Sequence, residues 1–292
     1  MSDWQAIESA IGSATGQAFR MADRRAAIGG DVNDAFVVGD GDRRFFVKTN
    51  RAELQTMFEA EAAGLAELRQ SSALRIPEPV TIDRTDNIAF IVLEYIELTR
   101  PTRRAMSALG EGLAELHGIV AARHGWERDN TLGSSPQHNA RHAEWVEFWR
   151  ENRLAAMLDA LAPTYPELAR DGDKLLSVLP DLLSGHTPEA SLLHGDLWGG
   201  NAGMDPSGQP VIFDPAVYYG DRETDLALSE LFGGFTPEFY DAYWGAWPAA
   251  PGYREIRRDL YQLYHLLNHA RMFGRGYAGQ SQRVIRQLVA RA

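Results

Sequence analysis

Strand-like patterns in this chain are gathered at one end, and that asymmetry limits what it can fold into. Arg24–Ile28, Ala35–Val38, Arg43–Lys48 and Ile88–Tyr95 carry short apolar or β-branched runs bounded by turn residues. Gly29-Gly30 separates the first two, and Gly39-Asp40-Gly41-Asp42 turns the second into the third. Trp4–Ala14 reads as a short amphipathic helix, and Glu53–Arg69, rich in Ala, Leu, Glu and Met, as a longer one. Pro77 and Pro79 break the chain before the last strand. Beyond Pro101 the pattern predicts helices over Ala105–Val120, Ala140–Leu161 and Asp173–Leu183, a strand-rich island over Ser191–Ala216, and a mainly helical remainder from Thr224 to Ala292. The expectation is an α+β chain in two lobes: a small β-rich N-terminal lobe (1–95) and a larger helical C-terminal lobe (96–292), hinged near Glu94–Leu98.

The 292 residues, 45% of them hydrophobic, can bury a sizeable core without disulfide staples. There is no cysteine, which excludes disulfides and thiolate metal sites and fits a reducing compartment, so a cytoplasmic location is expected. The first twenty residues lack the charged and apolar regions of a signal peptide, and no apolar run is long enough to span a bilayer. A net charge of −11 argues against a general grip on nucleic acid. Arg far outnumbers Lys, which occurs only at Lys48 and Lys174. A lysine closing the apolar run Phe45-Phe46-Val47-Lys48 is therefore conspicuous.

The richest segment runs from Leu192 through His194-Gly195-Asp196-Leu197-Trp198-Gly199-Gly200-Asn201 to Val211-Ile212-Phe213-Asp214. Asp205-Pro206-Ser207-Gly208 is a turn, so Met204 and Val211–Phe213 can pair as a hairpin that brings Asn201 and Asp214 to one cleft. Oxygen donors of this kind suit Mg²⁺, which binds few protein groups and leaves positions for phosphates and water. A separate carboxylate can orient an acceptor hydroxyl and take its proton. Asp196 fits that role, with Asn201 and Asp214 on the metal. The Asp196–Asn201 spacing matches the kinase pattern H-R-D-x-x-x-x-N, with Gly195 in place of Arg. Either aspartate alone would read as a turn residue at a strand end; their joint placement with Asn201 favours chemistry. His194 is expected to be a buried, hydrogen-bonded histidine. A metallohydrolase site at His194-x-Asp196 lacks a second His/Asp cluster.

Lys48 can reach ATP phosphates if a carboxylate holds it in the cleft. Glu61 is favoured over Glu59 for this, against the alternative of an edge lysine pointing into water. Gly29-Gly30 can fold over phosphates through backbone N–H groups, although such a pair also makes ordinary hairpins.

With these residues in hand, the chain resembles the fructosamine/ketosamine-3-kinase family, which has a protein-kinase-like, aminoglycoside-phosphotransferase-like fold. The similar phrases are Phe58-Glu59-Ala60-Glu61-Ala62-Ala63-Gly64-Leu65, Leu93-Glu94-Tyr95-Ile96, the 194–201 motif, Phe213-Asp214-Pro215-Ala216, Asp221-Arg222-Glu223-Thr224-Asp225-Leu226-Ala227, Leu231-Phe232-Gly233-Gly234-Phe235 and Tyr264-His265-Leu266-Leu267-Asn268-His269. The resemblance implies ATP-dependent phosphorylation of the sugar 3-hydroxyl of ketosamines, on small amines or glycated proteins, in deglycation. It implies that Glu94 and Ile96 offer hinge backbone groups to adenine, that Trp198 is a sugar-stacking platform or else a core aromatic, and that Asp225 braces the catalytic loop. Asp214-Pro215-Ala216 in place of Asp-Phe-Gly, and the lack of a following Ala-Pro-Glu, imply no phosphorylation-gated activation loop. Phe46 stands where a small residue is expected two before the lysine, which alters the adenine roof. The rival readings are an aminoglycoside- or choline-type phosphotransferase and a catalytically dead nucleotide-binding module.

Overall fold

The computed structural model describes residues 2–27 and 32–292; the Gly29-Gly30 turn lies outside the described residues. Helix α1 (Asp3–Thr15) starts at a capping box in which Ser2 and Gln5 satisfy each other's backbone amides. Strands β1 (Asp23–Ala26), β2 (Asp34–Gly39) and β3 (Arg44–Arg51) lead, through a 3₁₀ turn, into α2 (Gln55–Leu68). Strands β4 (Pro79–Arg84) and β5 (Ile88–Glu94) complete a sheet of order β1-β2-β3-β5-β4, antiparallel throughout. The expectation that Pro79 merely breaks the chain is corrected here. A proline is tolerated as the first residue of an edge strand, and Pro79 opens β4 in that position.

Alternation along β3 sorts its residues between two cores. Phe45 and Val47 face α1 and pack with Ile7, Ile11, Phe90 and Val92. Phe46 and Lys48 therefore face the other way, toward α2 and the second lobe. On that side Phe58, Leu65, Ile91 and Leu93 are continuous with the core of the helical lobe, so α2 is packed from both sides.

The second lobe comprises α3 (Arg103–His117), β6 (Val120–Ala121), β7 (Asn130–Leu132), β8 (Ser135–Gln137), α4 (Trp145–Phe148), α5 (Ala156–Leu161), α6 (Pro166–Leu182), β9 (Ala190–Leu193), β10 (Ala202–Met204), β11 (Pro210–Ile212), β12 (Tyr218–Gly220), α7 (Glu223–Phe232), α8 (Pro237–Ala246), α9 (Arg258–Phe273) and α10 (Arg275–Val289). A π-helical stretch, Trp149–Ala155, joins α4 to α5. The helix expected from Ala140 starts only at Trp145. His142 pairs in extended form with His124, and Ala140 O accepts from Asn152 Nδ2, so both are committed before the helix begins. The helix expected from Asp173 begins earlier, with Pro166 in its first turn, where a missing N–H costs nothing. The β10–β11 hairpin pairs Met204 with Pro210 and Ala202 with Ile212, across the expected turn. Among the described residues, no helix is long and apolar enough to cross a membrane.

Candidate active site

Strand β9 is buried along its whole length and delivers the chain to His194. The loop that follows is held from beneath by Asp225, in the first turn of α7. Its two carboxylate oxygens accept from the His194 N–H (2.7 Å) and the Gly195 N–H (2.9 Å), and His117 Nε2 lies 3.2 Å away. Burial alone would raise the Asp225 pKa; these contacts, led by His117, hold it below the ordinary carboxylate range. Gly195 has φ +79°, and a Cβ there would lie 2.0 Å from the Ala216 carbonyl oxygen. The tight apposition of the loop after β9 and the segment after Asp214 thus requires glycine where protein kinases carry arginine.

His194 is buried and structural. Its Nε2 donates to Phe213 O (3.0 Å) and its Nδ1 accepts from the Asp196 N–H (3.3 Å). Those partners select the neutral Nε2–H tautomer, and burial lowers the pKa. With both nitrogens occupied, His194 offers nothing to a metal. The His186, Asp221 and Glu223 cluster is likewise saturated. Asp221 accepts from Tyr261 OH (2.5 Å) and pairs with His186 (2.6 Å), while Glu223 pairs with the buried Arg257 (2.6 Å).

Asp196 and Asn201 meet above this base. Asn201 Nδ2 donates to Asp196 Oδ2 (3.0 Å), to Asp196 O (2.9 Å) and, at 3.4 Å, to Asp214 O. With the amide nitrogen so engaged, Oδ1 is the atom left for a cation. Burial, then the charge of Asp214, pushes the Asp196 carboxyl up to about 7, against the Asn201 hydrogen bond. That is a suitable basicity for a group that takes a hydroxyl proton near neutral pH.

Asp214 is the one non-glycine with positive φ (57°) among the described residues. Its side chain is 37% exposed to the cleft. Lys48 Nζ donates to Asp214 Oδ1 (2.5 Å) and to Glu61 Oε1 (2.7 Å). Burial alone would depress the lysine pKa; the Asp214 and Glu61 carboxylates more than offset it and hold the ammonium charged. An ammonium has three N–H groups, so one remains for a phosphate oxygen. Glu61, mostly buried, has its pKa raised by burial against the opposing pull of Lys48. The expected choice of Glu61 over Glu59 matches this geometry: Glu59 instead faces Arg128, 3.9 Å away.

The hinge residues are placed differently from one another. Glu94 donates its N–H to Glu78 O (2.8 Å), and its side chain pairs with Arg75 (2.6 Å). Ile96 is half-buried, and its N–H has no protein partner among the described residues. Arg75 also pairs with Asp205 (2.6 Å), stapling hinge to β10–β11; nothing in its sequence neighbourhood signals this. Trp198 is 41% exposed, which removes the reading as a core aromatic. Its ring lies over Gly200, where a Cβ would meet it at 2.2 Å.

A two-lobed fold with a lysine–glutamate pair in the small lobe, and an Asp–Asn–Asp set at the mouth of the large one, defines a protein-kinase-like phosphotransferase. The comparisons make this specific. The family described as fructosamine kinase matches residues 3–291, and the chain belongs to it. A "Probable ketoamine kinase" of Synechocystis sp. is 41% identical over 285 residues, covering 97% of this chain and 96% of that protein. The "Protein-ribulosamine 3-kinase, chloroplastic" of Oryza sativa subsp. japonica is 40% identical over 262 residues, 88% of this chain and 76% of that one. A Haemophilus somnus protein whose crystal structure carries the name fructosamine-3-kinase has a TM-score of 0.91 at 30% identity, covering 98% and 97% of the two chains. Choline kinase LicA of Streptococcus pneumoniae shares the fold alone, with a TM-score of 0.66 at 14% identity over 99% of each chain.

Proposed function

We propose that the chain is an ATP-dependent ketosamine 3-kinase, phosphorylating the sugar 3-hydroxyl of adducts on small amines or protein lysines as a step of deglycation. Family membership supports the reaction class. The observation that carries the division of labour is the convergence of Lys48, Glu61 and Asp214 beside Asp196 and Asn201.

Asp196 orients the acceptor hydroxyl and accepts its proton. Lys48, steadied by Glu61, holds phosphate oxygens. The Glu94 carbonyl and Ile96 N–H hold adenine under a roof narrowed by Phe46. The donor set fits Mg²⁺: the open Asn201 Oδ1 and the cleft-facing Asp214 carboxylate are hard oxygen ligands, with no competing nitrogen or sulfur. Such an ion neutralises charge on the transferring phosphoryl group. Trp198 presents an apolar face on which a sugar ring can stack. The lobes divide at 95/96, so hinge movement opens the cleft. The cysteine-free chain works in the cytoplasm, and its acidic charge keeps nucleic acid from being a partner.

The test is a panel of fructosyl-, ribulosyl- and erythrulosyl-amines against choline and an aminoglycoside, with MgATP. Turnover of at least one ketosamine, far above both other alcohols, is expected. Preference for choline or the aminoglycoside would transfer the enzyme to that class. Nucleotide binding with no turnover of any alcohol would identify a dead binding module.

A further inference from the structure

One set of buried polar side chains has no part in the phosphate, metal or acceptor contacts. It is centred on the β7–β8 hairpin, which lies between α2, the chain after Asp214, and α9. Gln137 Nε2 donates to Ala216 O (3.0 Å) and Asn130 Oδ1 (2.9 Å), and Asn130 Nδ2 donates to Val217 O (2.9 Å). Tyr264 OH donates to Gln137 Oε1 (2.9 Å). Behind them, Asn139 Nδ2 donates to Asn130 Oδ1 (2.9 Å), and Arg153 Nη2 donates to Asn139 Oδ1 (2.8 Å).

Arg153 is fully buried in the π-helical stretch, and among the described residues no carboxylate forms a direct ion pair with it, although Asp129 feels its charge from farther away. It rests on the carbonyls of His138 and Asn152 and on the ring of Tyr218, 4.1 Å away. A guanidinium buried without a direct ion pair must place its N–H groups on oxygen acceptors instead. A guanidinium can only donate. It therefore turns the Asn139 oxygen toward itself and the Asn139 amide nitrogen toward Asn130. The Asn130 oxygen is thereby engaged, and its nitrogen must face Val217 O. The acceptor-only Ala216 O and Asn130 Oδ1 fix the Gln137 amide nitrogen toward themselves, and Tyr264 OH then donates to the Gln137 oxygen. The relay ends in two N–H groups gripping two consecutive carbonyls, two and three residues after Asp214, whose left-handed backbone needs to be held.

We propose that Gln137 and Asn130 are positioning residues for phosphoryl transfer, holding the Asp214–Val217 segment by its carbonyls so that the Asp214 carboxylate is presented to the cleft without an activation loop. This rests on the reading of Asp214 as the metal-facing group. The probe is AMP-PNP binding by calorimetry, with Mg²⁺ and with EDTA, alongside kcat and urea stability. Four variants are compared: Gln137→Met, Tyr264→Phe, Asp214→Ala and the remote core change Leu179→Ala. Losing the two donated hydrogen bonds in Gln137→Met is expected to weaken Mg²⁺-dependent binding about tenfold, with EDTA affinity unchanged and kcat lowered. Leu179→Ala, destabilised as much or more, keeps wild-type binding. Tyr264→Phe moves binding the same way by about threefold, and it decides the matter if Gln137→Met does not fold. Wild-type Mg²⁺-dependent binding in both Gln137→Met and Tyr264→Phe, with Asp214→Ala deficient, overturns the positioning role alone. Retained Mg²⁺ dependence in Asp214→Ala overturns the metal reading, and the positioning role falls with it.

Discussion

Asp196 and Asp214 carry the same functional group in different surroundings, and the proposed division of their work rests on that difference. Asp214 is open to the cleft and anchored by Lys48; Asp196 lies deeper, with its carboxyl pushed up to about 7 by burial and by Asp214. Asp214→Ala is expected to remove Mg²⁺-dependent nucleotide binding, whereas Asp196→Ala keeps it and loses about 10²–10⁴ in kcat; titration of both variants with AMP-PNP checks this. Equal loss of nucleotide affinity would contradict the assignment. Trp198→Ala is expected to raise the ketosamine KM with little change in ATP KM or thermal stability, because the exposed ring contributes little to the core; steady-state kinetics with each substrate varied decides it. Lys48, Glu61, Asp196, Asn201 and Asp214, which the structure brings together, could be singled out because each stands in a compact motif or ends an apolar run. Gln137, Asn130 and Arg153 could not. They are single polar residues in a stretch without periodicity, and Gln137 finds its Ala216 partner 79 positions away.

At the scale of elements, the long periodic helices and the three strands around Lys48 were legible from pattern and turn residues. The short pieces β6, β7, β8 and β12 were not, since two- or three-residue strands are defined by their partners rather than by their own composition. Strand β4 was hidden by Pro79, a residue that forbids a central strand but permits the start of an edge. The catalytic loop illustrates the coupling of elements: Gly195 is both left-handed and in van der Waals contact with the segment after Asp214. Gly195→Ala is expected to cost about 2–4 kcal/mol of stability and at least about a hundredfold in kcat, because the loop or Ala216 must move. Urea unfolding and turnover of the same preparation test this, and near-wild-type values in both would show that the apposition is loose.

Over the whole molecule, the two-lobe division was visible in the sequence, but the common core that ties α2 to the helical lobe was not. That core also holds neutral histidines. Burial, aided by His142 and opposed by Asp221, pushes His124 down to about 4; burial, aided by His269, pushes His265 down to about 3. An unfolded histidine titrates near 6.5. The unfolded chain therefore binds more protons below that pH, and stability present above it is lost as the pH falls toward the folded values. Each such histidine takes away about 1.4 kcal/mol of stability per pH unit as the pH falls below 6 toward its folded value. His265→Leu is expected to flatten the fall in unfolding free energy between pH 6 and pH 5 by about that amount; an unchanged slope would mean the histidine is not held neutral. In the proposed function this cleft transfers phosphate from ATP to the 3-hydroxyl of a ketosamine, with Asp196 facing that hydroxyl. The most direct measurement is NMR of the product from MgATP and a fructosyl- or ribulosyl-amine, run with wild type and Asp196→Ala. The expected result is a 3-phosphate formed by wild type and only traces by the variant. Phosphate on another hydroxyl, or equal product from both proteins, would contradict it.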